Sequence, residues 1–161
     1  MPFARAGMAV YGLDGSVEML KVCEEKKIAV ELKPWDIRTA PWPYADKFFA
    51  AVIECGTIHF LPELEVIFNE AARLVQAQGI FTFTFITSGP ESQTGANEGK
   101  YSSEIMDGVP VYAHHPKYIA ALLKDHGFER RKALRVLLTR GPGLGDDVCT
   151  VYVAQKLDAR R

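Results

Sequence analysis

Residues 48–86 constrain the fold more than any other stretch of the chain. A continuous apolar run, Phe48 to Ile53 (FFAAVI), comes first. Leu64, Ile67, Phe68, Ala71, Leu74 and Val75 then recur at helical spacing, and Ile80 to Ile86 (IFTFTFI) closes the unit. An unbroken apolar strand suits a parallel sheet covered on both faces, where neither row of side chains meets water. The spaced residues make a single apolar helical stripe, and Gly79 is read as its stop. In IFTFTFI, Phe81, Phe83 and Phe85 fall on one side and Thr82 and Thr84 on the other, because side chains alternate along a strand. Strand, helix, strand in this order predicts a parallel crossover unit.

The flanking segments extend the pattern. Met8 to Leu13 is a short β-like run, and Ser16 is placed to cap the helix after it, with a hydroxyl that accepts from a first-turn amide. Val17, Leu20 and Cys23 share one helical face, and Glu24, Glu25, Lys26 and Lys27 close that helix. Ile28 to Leu32 reads as a strand, followed by Trp35, Asp36 and Ile37. Thr39 to Tyr44 is a loop, because Pro41 and Pro43 bar regular structure. Ser88 to Val109, rich in Gly, Ser, Asn and Glu, reads as one long lid-like loop. Pro116 opens a helix to His126, with Ile119, Leu122 and Leu123 inward and Gly127 at its end. Ala133–Thr139 and Val148–Lys156 read as a hairpin joined by GPGLGDD. The alternation predicts an α/β fold with a mostly parallel sheet and a closing antiparallel edge.

A chain of 161 residues supports one domain with a sizeable core. The formal net charge is -1, and the basic residues gather only in Arg130–Lys132 and Arg160–Arg161. Phosphate-backbone binding needs more than that, so nucleic acid is not an expected partner. No apolar run approaches a membrane span, and MPFARAGMAVYG lacks the apolar core of a signal peptide. Cys23, Cys55 and Cys149 are odd in number and far apart. They fit neither a disulfide framework nor a zinc site and suit a reducing, cytoplasmic setting.

At this point the sequence resembles the class I S-adenosylmethionine-dependent methyltransferases, from Gly7 to Lys156. Val10-Tyr11-Gly12-Leu13-Asp14-Gly15-Ser16 with Glu18-Met19-Leu20 is similar to the family's second-strand motif. Phe49 to Leu61 (FAAVIECGTIHFL) resembles its fourth strand and the turn after it. Arg73-Leu74-Val75 with Gly79 and IFTFTF resembles its helix, turn and fifth strand, and Gly127-Phe128 before a hairpin resembles its ending. The resemblance implies a Rossmann-like, mostly parallel sheet with helices on both faces and a C-terminal antiparallel hairpin. It also implies S-adenosylmethionine as cofactor. Asp14, beside Gly15, would accept from the ribose hydroxyls. Met19 would pack on the adenine, Asp36 would accept from its amino group, and Ile37 would offer a backbone amide. Glu54, Cys55 and Gly56 would line the cofactor, and His59 would be the candidate base near the methyl-transfer centre. The acceptor it implies is a small molecule.

The sequence departs from the family pattern at four points. Ala50 stands where an acidic residue is usual, and Gln78-Gly79 replaces paired glycines. No Asn/Asp-Pro-Pro-aromatic signature follows Ile53, which points away from nucleic-acid or protein amide acceptors. MPFARAG reads as the tail of the first crossover helix, so the expected domain, residues 1–161, lacks its first strand and glycine-rich loop.

Several other readings are open at the level of sequence. Asp14 also suits a helix start, where the helix dipole favours an acid, and Asp36 suits a turn cap. His59 also fits a structural role at a strand–loop boundary. Gly141, Gly143 and Gly145 read as a turn, not as a cofactor loop, because VCTVYVAQK after them alternates like a strand. Tyr152 and Lys156 have the spacing of a dehydrogenase pair, but on a strand they stand too far apart. His114 and His115 read as the start of the Pro116 helix, without the carboxylate or thiolate partners of a metal site. Two other functions compete. One is an inactive binding or oligomerisation module pairing with another copy through exposed sheet edges. The other is a nicotinamide-dependent oxidoreductase, which also reads ribose with an acid after its second strand.

Overall fold

The computed structural model describes residues 2–87, 99–139 and 146–158. They cluster into two compact units, residues 1–43 and 44–161.

The first unit opens with a one-turn helix α1 (Pro2–Arg5), then β1 (Tyr11–Asp14), α2 (Val17–Glu25) and β2 (Glu31–Pro34). β1 and β2 pair in parallel, Tyr11 opposite Glu31 and Asp14 opposite Pro34. Ser16 caps α2 as its sequence predicts, accepting from Met19 N at 3.2 Å. One expectation needs correction. The second strand is Glu31–Pro34, not Ile28–Leu32, because Lys27 turns the chain with a positive φ of 50° and strand geometry begins only beyond it. On α2 only Leu20 is buried, while Val17 stays 49% exposed.

The second unit holds β3 (Phe49–Ile53), a 3₁₀ turn (Ile58–Phe60), α3 (Glu65–Leu74), β4 (Val75–Thr87), β5 (Tyr101–Met106), β6 (Val109–His114), α4 (Pro116–Asp125), β7 (Phe128–Thr139) and β8 (Asp146–Lys156). They form a six-stranded sheet centred on β4. β3 runs parallel to β4, with Ala51–Ile53 opposite Ile80–Thr82. β8 lies antiparallel along the other edge of β4, and β7 pairs antiparallel with β8. β6 pairs in parallel with the last residues of β4, Ala113 opposite Ile86 and His114 opposite Thr87. Ile86 also pairs with Cys149 of β8, so β6 and β3 occupy the same edge of β4, one after the other.

The core follows the alternation in β4. Phe81, Phe83 and Phe85 are fully buried, and Phe68 of α3 meets Phe81 and Phe83 edge-on at 5.4 and 5.1 Å. Tyr152 of β8 packs against Phe83 and Phe85 from the next strand. Ile67, Leu74, Ile119 and Leu123 complete the apolar layer. The stripe on α3 is therefore the buried face its spacing predicts.

Four expectations in this unit change. α3 ends at Leu74, four residues before Gln78, and residues 75–79 already belong to β4, with Val75 opposite Phe49 and Gln78 at a positive φ of 61° where the register shifts. Gly79 is not a helix stop. A Cβ there would meet Val75 Cγ1, the Ala50 carbonyl and the Gln76 carbonyl at 2.7–2.9 Å, so it is glycine because the backbones of β3 and β4 crowd it. The FFAAVI strand is only partly buried, with Ile53 48% exposed, since β4 is its one ladder neighbour among the described residues. The stretch read as one lid-like loop is in part a hairpin. β5 and β6 pair from Tyr101–His114 to Met106–Val109 around Asp107-Gly108. Both turn residues have positive φ, 51° and 80°, the geometry that matches strand twist in a two-residue turn. Residues 88–98 of that stretch, and Gly141, Gly143 and Gly145, lie outside the described residues.

β7 and β8 extend further than the sequence indicates. Tyr152 OH accepts from Arg130 and Lys156 Nζ donates to the His126 carbonyl, so the two residues of the dehydrogenase-like spacing serve the strand ends. No two of the cysteines form a disulfide. Among the described residues no helix is long and apolar enough to cross a membrane.

Candidate functional site

Ligands of open α/β sheets sit beyond the carboxyl ends of parallel strands, where loops carry polar groups to the crevice. The candidate residues of each unit lie at such ends.

In the first unit, Asp14 is the last residue of β1, and Asp36 follows β2 by two residues. Trp35 N donates to the Asp14 carbonyl at 3.0 Å and ties the two strand ends together. Asp14 is half-buried, and its Oδ1 accepts from Ser16 N at 2.8 Å. This bond fixes the carboxylate against the start of α2 while Oδ2 has no hydrogen bond to a described residue. That is the acceptor a vicinal diol needs. Asp36 is committed differently. Arg38 donates to both of its oxygens, Nε to Oδ1 at 2.9 Å and Nη2 to Oδ2 at 2.7 Å, and Arg38 N adds a bond at 3.0 Å. These hydrogen bonds hold the Asp36 carboxyl below its ordinary pKa. An amino donor reaching Asp36 has to share or displace Arg38. Met19 is 53% exposed on α2, and Ile37 is half-buried, with its carbonyl accepting from Trp42 Nε1. Gly15 has ordinary space where a Cβ would stand, so its position imposes no steric need for glycine.

In the second unit, Glu54 leaves β3 and turns its carboxylate back onto the chain. Oε1 accepts from Thr57 N and from Ile58 N at 3.0 Å, which caps the 3₁₀ turn. Oε2 accepts from Thr84 N at 3.2 Å. Burial pushes the Glu54 carboxyl above the ordinary carboxylate range, opposed by these three backbone donors. Glu54 therefore builds the turn; it does not present its oxygens outward. Gly56 N donates to Thr84 Oγ1 at 2.8 Å and adopts a φ of +82°, which leaves Cys55 and Gly56 exposed at the tip. His59 is half-buried in the 3₁₀ turn, its ring 4.1 Å from that of Phe60, which is itself 45% exposed. The structure thus brings Glu54, Cys55, Gly56 and His59 into one turn beyond the end of β3, and Asp14, Gly15 and Asp36 to one end of the β1–β2 pair.

Three contributors escape the sequence reading. Arg38 neutralises Asp36, and its spacing of two residues from Asp36 was the available signal. Thr84, on the polar row of β4, supplies both an N–H and a hydroxyl to the turn. His114 is fully buried, with Nε2 3.3 Å from the Ile58 carbonyl, and nothing in its sequence context indicates that partner.

The sequence family described as "Methyltransferase domain" matches residues 1–83, which include Asp14, Asp36 and the whole Glu54–His59 turn. No curated protein sequence matches the chain with significance. A S-adenosylmethionine-dependent methyltransferase from Methanosarcina mazei superposes with a TM-score of 0.76 at 15% identity, over 97% of this chain and 85% of that one. A methyltransferase from Mesorhizobium loti gives 0.68 at 14% identity, over 92% of this chain and 80% of that one. The 1,6-didemethyltoxoflavin-N1-methyltransferase from Burkholderia thailandensis gives 0.70 at 18% identity, over 98% of this chain and 65% of that one. At these identities the likeness establishes the Rossmann-like fold. With the family match spanning more than half of its length, the chain belongs to the methyltransferase-domain family of class I, S-adenosylmethionine-dependent methyltransferases.

Proposed function

We propose that the chain transfers a methyl group from S-adenosylmethionine to a small-molecule acceptor. The reading is carried by the turn after β3, whose backbone is held by Glu54 while Cys55, Gly56 and His59 stand toward its surface. When bound, S-adenosylmethionine supplies a methyl already activated by its sulfonium. The residues then have to bind, orient and keep water out. Asp14 fits the ribose diol through its outward oxygen, and Met19 offers an apolar, polarisable face to the adenine. Asp36 fits less well as it stands, because Arg38 occupies its acceptors. His59 takes a proton at a ring nitrogen when the acceptor must lose one, and is dispensable when it need not. The short Glu-Cys-Gly-Thr sequence after Ile53 has no aromatic clamp for a flipped base or a peptide amide, which favours a small acceptor. The Burkholderia thailandensis relative in fold, whose structure holds a small acceptor together with S-adenosylhomocysteine, is consistent with that class.

Calorimetry with S-adenosylhomocysteine tests the reading. We expect saturable binding that Asp14→Ala weakens by about a hundredfold, as for two charge-assisted hydrogen bonds. Asp14→Asn keeps an oxygen for Ser16 N and should lose less. Methyl-labelled S-adenosylmethionine incubated with a metabolite extract should label the low-mass fraction. Label confined to protein or nucleic acid would refute the small acceptor.

A second reading rests on the exposure of β3. Ile53 and the flanking Phe48 are 48% and 44% exposed on a strand with one ladder neighbour among the described residues. Such an edge pairs readily with another copy. Sedimentation giving a stable dimer, with no S-adenosylhomocysteine affinity, would favour an oligomerisation module.

A further inference from the structure

β3 and β6 share one edge of β4 and leave a gap between them, from Thr82, opposite Ile53, to Ile86, opposite Ala113. The turn carrying His59 leaves the sheet in that gap. Two side chains bridge it. Glu54 does so from below, through Thr84 N, and His114 does so from above, through the Ile58 carbonyl. His114 is the last residue of β6 and is 0% exposed. Its ring lies 6.0 Å from those of Tyr101 on β5 and Tyr118 on α4. Nε2 faces the Ile58 carbonyl, so the proton belongs there, and Nδ1 is buried without a hydrogen-bond partner among the described residues. A buried polar ring with half its capacity unused is costly, and an apolar side chain would fill the same space at no such cost.

We propose that His114 is the positioning residue of the His59 turn, clamping the Ile58 carbonyl from the inserted β5–β6 hairpin and so fixing the backbone on which His59 stands. The proposal rests on the methyl-transfer reading for its consequence, but the clamp itself is a property of the fold. It makes the hairpin part of the site, since a displacement of β6 moves the turn with it. The clamp works with a neutral imidazole. Burial pushes the His114 pKa down, and His59 adds to this, while the carbonyls of Ile58 and Leu61 and the Glu63 carboxylate oppose it. The rings of Tyr101 and Tyr118 also face the His114 ring, and Lys100 sits on Glu63 at 2.8 Å. A histidine whose folded pKa is depressed stabilises the fold above its unfolded pKa, near 6.5, and that contribution is lost as pH falls below it.

Nuclear magnetic resonance on the full chain tests the clamp. Long-range proton–nitrogen spectra should place the His114 proton on Nε2. Amide exchange is then followed at Ile58 and at Leu61, whose N–H shares the Ile58 carbonyl at 3.0 Å. His114→Leu should speed exchange at both by about tenfold, the loss of one hydrogen bond, and leave the amides of Ile119 in α4 and of His126 just after it unchanged. His114→Gln, whose amide N–H reaches the same carbonyl, should restore protection. The His59 ring titration should move in His114→Leu and return in His114→Gln. In the wild type, protection at Ile58 and Leu61 should fall below pH 6.5, and in His114→Gln it should not. Unchanged exchange in His114→Leu, a His114→Gln variant as fast as His114→Leu, or a flat wild-type pH profile would each overturn the proposal. S-adenosylhomocysteine titration of the same variants separates the two readings. Absent affinity in every variant refutes methyl transfer, while the exchange data still decide the clamp.

Discussion

Replacing Glu54 by glutamine separates its charge from its shape. In the wild type one carboxylate oxygen serves Thr57 N and Ile58 N, and the other serves Thr84 N. Glutamine keeps the first oxygen and turns an NH2 toward Thr84, so one N–H loses its acceptor. That costs about 1–2 kcal/mol, while the two bonds at the turn survive. Glu54→Ala removes the acceptor of all three N–H groups, and with Thr57 N open to water the cost is about 3 kcal/mol. The pH dependence distinguishes the charge. Burial raises the folded pKa of Glu54 above its unfolded value near 4.3. The folded state then binds the proton more tightly than the unfolded state. Its contribution is greatest below the unfolded pKa and declines as pH rises through the folded one. Glutamine has no such proton. The stability gap between wild type and Glu54→Gln should therefore widen as pH falls from 7 to 4, by about 1.4 kcal/mol for each unit separating the two pKa values. Urea unfolding followed by far-ultraviolet circular dichroism, which reports the sheet and helices around Glu54, measures it at a series of pH values. Parallel curves for the two proteins would refute a buried, proton-hungry Glu54. A gap that narrows toward acid would reverse the sign and show that the three N–H donors outweigh burial.

Other perturbations follow from the same packing. Gly79→Ala should cost about 2–3 kcal/mol in urea unfolding, because two of its three close contacts are carbonyls that move only with the β3–β4 ladder. Arg73→Ala should cost about 3 kcal/mol, since Arg73 joins the buried Glu70 at 2.6 Å to the Tyr44 carbonyl and Asp46; Arg73→Lys should recover only part of this. Arg38→Ala frees both oxygens of Asp36 and should tighten S-adenosylhomocysteine binding if Asp36 reads the adenine amino group. An unchanged affinity by calorimetry would remove Asp36 from the site. Gly108→Val should slow or weaken formation of the β5–β6 hairpin, because φ at +80° strains a β-branched residue, with the loss read in the amide exchange of Val111 and Ala113.

Much of the fold was legible because it is local. The Ser16 cap, the proline loop at 41–43 and the alternation of Phe81, Phe83 and Phe85 each depend on neighbours in sequence. The β5–β6 hairpin was legible too, in the Asp107-Gly108 pair between alternating residues, but the polar composition around it suggested one loop. The candidate site was legible as a set of residue types at strand ends. Their engagement was not. Asp36 and Glu54 look alike in sequence, as acids after a strand. One is held at the surface by Arg38 and the other is folded back onto a turn and Thr84.

The amino-acid sequence by itself determined the order of strands and helices outside the stretch read as a loop, the buried faces of α3 and β4 and the family to which the chain belongs, since periodicity and turn chemistry are encoded within a few residues. Only the tertiary structure decided what each polar group does. Glu54 is a cap because β4 brings Thr84 to it across thirty residues, and His114 meets Ile58 because β6 follows β3 along one edge of β4. Hydrogen bonds act over about 3 Å, and no pattern in the chain records which distant donor the fold will carry to that distance.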